Sequence, residues 1–324
     1  MKRLRRVVAA VLVLGATNCV TPRKDLGLVT PTGTFRVAFV EWNESTGELL
    51  QQTIPEAAQA LTRWGGLQEP VQITVVNSHW ELEELVGRKL PGISAWARAR
   101  EVYLSDPARW PLPPGLDADA PLARRIRRTQ LTDLLKHELT HCLMFQRAGP
   151  TPADLRERIP FWFREGMASV TAGEGAQWPP LEALGQWLAA HPGVDLLRDT
   201  AAIARTDPAI AYGAAYHAFQ FVLRTHGDAS VLAVLDRMAS RSSFPEAFQS
   251  TLHLTVASFS NAFQLSLVDG SMPREGASGE YPQQLLRRDR LPDHRERLSV
   301  HVLGDEARPT RHLGDSVHRH HVGV

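Results

Sequence analysis

Two histidines and a glutamate give this chain its clearest chemical signal. They lie in the pentapeptide His-Glu-Leu-Thr-His, where His137 and His141 are four positions apart and Glu138 follows the first histidine. On a helix, residues four apart lie on one face about one turn apart, so both imidazoles can bind the same metal ion. Glu138 points elsewhere around the helix, where a carboxylate can accept a proton from a metal-activated water. The pattern predicts a zinc site with Glu138 as general base; the alternative is a core helix with incidentally placed polar residues.

A catalytic zinc site needs a third protein ligand as well as an open position. An extension of the motif by x-x-Gly-x-x-His is excluded, because Met144 and Arg147 stand at those two places. The next candidate is Glu165, in the aromatic-rich segment 160–169 (PFWFREGMAS), 24 residues after His141. Intervening prolines can turn the chain so that a second helix brings Glu165 across the first. The alternative is a surface glutamate at a helix start, where the helix dipole favours an acid.

The motif followed by W-x-x-E-G-x-A, here residues 162–168, resembles the gluzincins and, more narrowly, the bacterial peptidase MA-like families. The resemblance covers about residues 70–265. It implies a zincin-like fold and a zinc-dependent peptidase. It also implies roles for four residues, with His137, His141 and Glu165 as Zn²⁺ ligands and Glu138 as the general base.

Two further site features are implied by the same resemblance. Such families often carry a tyrosine in a helix after the third ligand, and Tyr212 takes that place. Its hydroxyl could donate a hydrogen bond to the oxyanion of a tetrahedral intermediate. Tyr216 and His217 are rivals for this role, and packing of the tyrosines in a helical core is the alternative. Segment 93–97 and a strand at 102–104 correspond to the edge strand that binds extended peptide in zincins.

The elements that must position these residues are predicted to form an α+β fold. Hydrophobic periodicity and turn signals predict strands at 35–42, 71–76 and 102–104, and helices at 53–64, 79–86 and 122–148. Later helices are predicted at 165–172, 181–190, 212–226, 229–240 and 244–253, with helical patterns to about 268. Strands first and helices later predict a small N-terminal mixed sheet beside the long motif-bearing helix, and a helical C-terminal half.

The N-terminus is predicted to direct export. Residues 1–19 combine a basic start with a short apolar run and are predicted to be a signal peptide. The run ends at Cys19, and this stretch resembles a bacterial lipobox, with Ala16 and Asn18 departing from the usual pattern. We therefore predict a lipid anchor at Cys19 and a location at the periplasmic or outer-membrane face of the cell envelope. Simple cleavage and secretion is the alternative.

The remaining boundaries follow from composition. Residues 20–33 are predicted to be a tether, 34–268 the zincin-like peptidase domain, and 269–324 a largely disordered tail rich in Arg, Asp and His. The formal net charge of +1 excludes an overall basic field for nucleic acid. Two cysteines exclude a multi-disulfide framework. The expected partners are a peptide or protein substrate, and the membrane through the anchor, with no nucleic acid.

Four arginines precede the motif and carry no assigned role in it. They are predicted to be the solvated end of the long helix, or alternatively to steer an acidic substrate or contact a phospholipid surface. They are Arg124, Arg125, Arg127 and Arg128.

The sequence thus predicts a zinc metallopeptidase at the bacterial cell envelope. The alternative from another class is a non-catalytic envelope binding or scaffold protein that retains the zincin fold. Zinc-dependent hydrolysis of a non-peptide amide is a third possibility, which the shared metal chemistry leaves open.

Overall fold

A computed structural model describes residues 25–39, 43–87, 89, 93–149 and 158–270. The predicted signal peptide, the anchor at Cys19 and residues 271–324 of the predicted tail lie outside these ranges.

A five-stranded mixed sheet forms the N-terminal part of the described chain. Its strands are β1 (Asp25–Thr30), β2 (Gly33–Phe39), β3 (Val71–Val76), β4 (Ala95–Ala97) and β5 (Glu101–Ser105). The spatial order is β1-β2-β3-β5-β4, with β2, β3 and β5 parallel and the two edge strands antiparallel to their neighbours. The apolar run of β3 is buried almost throughout because this strand is central and covered on both faces. The predicted small mixed sheet is confirmed.

The first strand differs from the tether predicted for residues 20–33. β1 pairs with β2 along its whole length, and Leu26 and Leu28 pack against the core. The Thr30 hydroxyl donates to the Gly33 carbonyl across the connecting turn, at 3.0 Å. An edge strand buries only one face, and Gly27 weakens the pattern, so the sequence signal for β1 is faint.

Three helices accompany the sheet. They are α1 (Glu44–Ala60), which continues as a 3₁₀ turn over Leu61–Trp64, α2 (His79–Val86) and the long α3 (Pro121–Ala148). α1 begins at Glu44 rather than at residue 53, because the Asn43 side chain accepts from the Thr46 amide at 3.4 Å and caps the helix. α3 packs against both β4 and β5, which places the predicted motif beside the edge of the sheet.

The rest of the described chain is helical, as predicted. Its helices are α4 (Phe161–Ala172), α5 (Leu181–Ala190), α6 (Thr200–Ile203), α7 (Pro208–Ala239), α8 (Phe244–Leu252) and α9 (Val256–Val268). α7 contains a break at Gly227, whose φ of 74° is left-handed, and this matches the boundary predicted between helices 212–226 and 229–240. Within the described ranges, no helix combines the length and apolar character needed to cross a bilayer.

Candidate metal centre

α3 brings the two motif histidines onto one buried face. It begins with Pro121 at a first-turn position and ends before Gly149, whose φ is 115°. Its second half is enclosed by the sheet and by the later helices, so that His141 is only 3% exposed. The rings of His137 and His141 lie with their centroids 4.9 Å apart, as expected for residues one helical turn apart.

Glu165 reaches these histidines because α4 packs closely on its neighbours. α4 lies against both α3 and α7. The residue after Glu165 is Gly166, where a Cβ would overlap the Ala215 carbonyl oxygen and lie 2.7 Å from the Phe219 Cβ. The glycine of the Glu-Gly pair therefore permits the close approach of α4 to α7 that places the glutamate.

Three potential ligand atoms converge at this crossing. The Nε2 atoms of His137 and His141 each lie 3.4 Å from Oε2 of Glu165. All three atoms are within 4.8 Å of one another, and the side chains are largely buried. Two imidazole nitrogens and one carboxylate oxygen form a donor set that suits a divalent transition metal. The triad that the sequence predicted can therefore hold a metal ion.

Two neighbouring side chains hold the other polar atoms of His137 and Glu165. Nε of Arg164 donates to Oε1 of Glu165 at 2.9 Å, and this arginine is itself buried. Oε1 of Glu174 lies 3.2 Å from Nδ1 of His137. The histidine and the glutamate thus each keep one atom, Nε2 and Oε2, directed at the shared site.

Electrostatics couple the buried groups. Burial alone would lower the pKa of His137, but hydrogen bonds to Glu165 and Glu174 outweigh it and raise that pKa well above its usual value. Burial would raise the pKa of Glu165, yet the charge of His141 and the hydrogen bonds from both histidines hold it well below its usual range. The carboxylates thus stabilise positive charge at this site.

One residue of the triad, His137, lines a cleft of about 500 Å³. His137 and Glu138 line this cleft together with Ala95 of the edge strand β4 and Ser94, the residue before that strand. The remaining lining includes Ile93, Trp110, Pro111, Gln130, Leu134, Glu174, Gln177, Trp178 and Tyr212. Glu138 is 7% exposed, so the predicted base lines the cleft in a mostly dry environment.

Tyr212 lies in this cleft, unlike its two rivals. Its ring stacks on Trp178 with centroids 5.2 Å apart and meets Phe161 edge-on. Burial, followed by the charges of Glu165 and Glu138, raises its pKa, which keeps the hydroxyl protonated.

The rivals occupy other surroundings. The Tyr216 hydroxyl accepts from Gln220 at 3.3 Å and lies against Gly175, where a Cβ would overlap it. The ring nitrogen Nε2 of His217 is 3.0 Å from the Pro179 carbonyl oxygen. The structure therefore groups Tyr212, and neither rival, with Glu138 and the triad.

Sequence reasoning did not identify Arg164 or Glu174. Arg164 stands directly before Glu165 in the segment that was singled out, but adjacency gives no sign that its side chain turns back to its neighbour. Glu174 follows Gly173, which ends α4 in a left-handed conformation with φ 77° and redirects the chain. That glycine was the one available signal, and it marks a turn without indicating what the turn approaches.

Comparison with known protein families and with the curated proteins gives no match for this chain.

Proposed function

We propose that this chain is a zinc-dependent peptidase. The observation that carries the proposal is the convergence of His137, His141 and Glu165 beside Glu138, at the wall of a cleft bounded by the edge of a sheet. Histidine, histidine and glutamate as three protein ligands, with His137 also lining the cleft, fit catalytic zinc better than a structural site closed by four ligands.

A bound zinc ion would lower the pKa of a coordinated water and polarise a carbonyl group. Glu138 accepts a proton from the attacking water as its oxygen bonds to the scissile carbonyl carbon. The same carboxyl then passes the proton to the leaving nitrogen as the C–N bond breaks, which yields a carboxylate and an amine. The Tyr212 hydroxyl, held protonated by burial, donates to the carbonyl oxygen as negative charge grows on it.

The edge strand supplies a place for the substrate backbone. β4 pairs with β5 on one side, and among the described residues no strand pairs with its outer side. Ser94 and Ala95 at its start line the cleft next to His137. Backbone groups on a strand edge bind an extended peptide by adding it to the sheet. This geometry favours a peptide over a small amide as substrate.

The proposal includes a zincin-like arrangement of the gluzincin, peptidase MA-like kind, and action at the bacterial cell envelope. The arrangement is supported by the long motif helix beside an antiparallel edge strand and by the third ligand on the next helix. The location is supported by the sequence of residues 1–19 alone, with Cys19 as the proposed anchor and secretion as the alternative.

The deciding experiment measures metal content and peptide hydrolysis on the same preparations. The full chain purified without chelators should hold about one zinc per chain and cut members of a peptide library. Glu138→Gln should keep the zinc and lose hydrolysis, because the carboxylate that moves the proton is gone. Glu84→Gln, a change at an exposed position of α2, is the matched control and should lose neither.

Two results would contradict the proposal. Hydrolysis that persists in Glu138→Gln would remove this residue from the mechanism. Zinc binding without hydrolysis of any peptide by the unaltered chain would instead support a binding or scaffold protein.

A further inference from the structure

The first two turns of α3 carry an unfavourable concentration of positive charge. Arg124, Arg125, Arg127 and Arg128 lie within its first eight positions, and its first turn contains no acidic residue. A helix N-terminus already bears partial positive charge, so cations there are destabilising. Residues three or four apart are neighbours on the helix surface, and like charges at that spacing repel. Folding does not require this arrangement, and a bound anion would relieve it.

Most of these guanidinium groups have no carboxylate partner within the described chain. Arg128 forms an ion pair with Glu56 at 3.2 Å. Arg125 is exposed and makes no hydrogen bond or ion pair with any described residue. Arg124 and Arg127 donate only to main-chain carbonyls of residues 118–119, at 2.8 and 3.2 Å. Three of the four guanidinium groups therefore form no ion pair with a described carboxylate.

The arginines line one side of a cavity of about 610 Å³. The first turns of α1 also line it, with Ser45, Thr46 and Gln52 among the lining residues. Glu48 and Asp119 also line it, and Arg128 is already paired with Glu56, so the other three guanidinium groups face two carboxylates and a net positive charge remains. This volume exceeds that of a single carboxylate or phosphate and suits a segment bearing several acidic groups.

This cavity lies next to the metal-site cleft. Arg127 lines the cavity and Gln130, one helical turn further on, lines the cleft. Likewise Ala108 borders the cavity and Trp110 borders the cleft. Arg127 precedes His137 by ten positions, which corresponds to about 15 Å along the helix axis. An extended peptide covers that distance in about four to five residues.

The direction of β4 shows which end of a peptide would approach the arginines. Ser94, just before β4, lines the same cleft as His137. Ala99, just after β4, accepts a hydrogen bond at 2.7 Å from Nε2 of Gln146, which lies further along α3 than His137. β4 therefore runs in the same direction as α3. Antiparallel pairing is the more stable mode, and a peptide paired in that way would run towards the start of α3. Its carboxyl-terminal side would then meet the arginine-lined cavity.

We propose that this cavity binds acidic side chains of the substrate, about four to five residues on the carboxyl side of the bond that is cut. This inference rests on the proposed function for the position of that bond. It assigns to the arginines a role in substrate selection, and it names the substrate class as peptides with an acidic segment after the cleavage point.

The test measures binding of matched fluorescent peptides to the full chain carrying Glu138→Gln, so that no peptide is cut. One peptide carries three glutamates on the carboxyl side of the bond that the unaltered chain cuts. A second peptide carries glutamines at those positions, and a third carries the glutamates on the amino side of that bond. The first peptide should bind about tenfold more tightly than the other two at low ionic strength. This difference in affinity should shrink as added salt screens the charges.

Three charge variants locate the effect. Arg125→Glu should remove most of the advantage of the first peptide, because this residue lines the cavity and makes no hydrogen bond or ion pair with any described residue. Arg205→Glu, at an exposed position outside the cavity, is the matched control and should keep the advantage. A triple Arg124→Gln, Arg125→Gln and Arg127→Gln variant, checked for folding by circular dichroism, should abolish it.

Three results would overturn the inference. They are equal binding of the first two peptides, stronger binding of the third, or a preference that survives in the folded triple variant. Arg125-dependent sedimentation with phosphatidylglycerol vesicles, without the peptide preference, would assign the cavity to a membrane surface. If the unaltered chain cuts no peptide but the Arg125-dependent preference holds, the proposed function fails and the acidic-peptide site stands.

Discussion

At the residue scale, two of the candidate metal ligands have only one polar atom left for the ion. Glu174 holds Nδ1 of His137, and Arg164 holds Oε1 of Glu165. Fixing one atom orients the other and selects the imidazole tautomer with a free Nε2. The site is therefore preorganised by groups that do not themselves need to touch the ion.

We predict that Glu174→Ala weakens zinc binding by roughly 10–100-fold, as expected when a carboxylate behind a ligating histidine is removed. The affinity is measured by competition with a chromogenic chelator. Glu182→Ala, at an exposed position of α5, is the matched control and should bind zinc as the unaltered chain does. An unchanged affinity in Glu174→Ala would mean that its contact with His137 does not orient the ring.

Tyr212→Phe tests whether the buried hydroxyl acts on the reacting carbonyl. If it donates to the developing oxyanion, kcat should fall by about 10²-fold while KM and zinc content change little. Tyr216→Phe removes a hydroxyl that contacts Gln220 instead, and should retain kcat within a few-fold. Steady-state kinetics measure both variants. An equal loss of kcat in Tyr212→Phe and Tyr216→Phe would exclude a specific role for Tyr212.

At the element scale, the site depends on how closely α4 approaches α7. Gly166 allows that approach, and Trp162 and Phe163 on the same helix anchor α4 in an aromatic cluster with Phe244 and Phe259. Displacement of α4 would move Glu165 away from both histidines, because they belong to α3.

We predict that Gly166→Ala lowers the free energy of unfolding by about 1–3 kcal/mol, the usual cost of overpacking a core contact. It should also weaken zinc binding, since Glu165 moves with α4. Urea unfolding of the metal-free chain measures the first effect. Gly27→Ala is the control, because a Cβ there meets nothing within 4 Å. If Gly166→Ala has the same free energy of unfolding as Gly27→Ala, α4 can shift away from α7 without a loss of stability.

The sequence predicted elements well where they carry strong periodicity or clear end signals. β3, α2 and α5 match the predicted ranges, and the break at Gly227 lies where two helices were expected to meet. β1 was missed because an edge strand buries one face only. The start of α1 was missed because Gly47 and the hydroxyl residues near it are poor helix formers, and Asn43 capping compensates for them.

The same contrast holds within the site. The spacing of His137, Glu138 and His141 on one helix is a local property, and the sequence contains it fully. Glu165 lies outside that helix; the need for a third ligand made it a candidate, and the resemblance to a known motif supported that role. Arg164 and Glu174 act through contacts created by the packing of α3, α4 and the turn after α4, and no local pattern encodes such contacts.

At the scale of the whole molecule, the candidate metal site lies where two consecutive helices of the described chain, α3 and α4, cross. α3 contacts the sheet, while α4 contacts the helical C-terminal half, so an ion bound by His141 and Glu165 would link the two parts of the core. A ligand that binds only the folded state stabilises it in proportion to the logarithm of its concentration over its Kd.

Zinc should therefore raise the melting temperature of the chelator-treated full chain. At a free zinc concentration of about 100 times Kd the gain is about 2.7 kcal/mol, or roughly 5–10 °C for a chain of this size. His141→Ala should lose the gain, because it removes a ligand on α3. His79→Ala, which alters a half-exposed histidine on α2, should keep it. Differential scanning calorimetry with and without zinc distinguishes these outcomes, and an equal gain in His141→Ala would place the stabilising ion elsewhere in the chain.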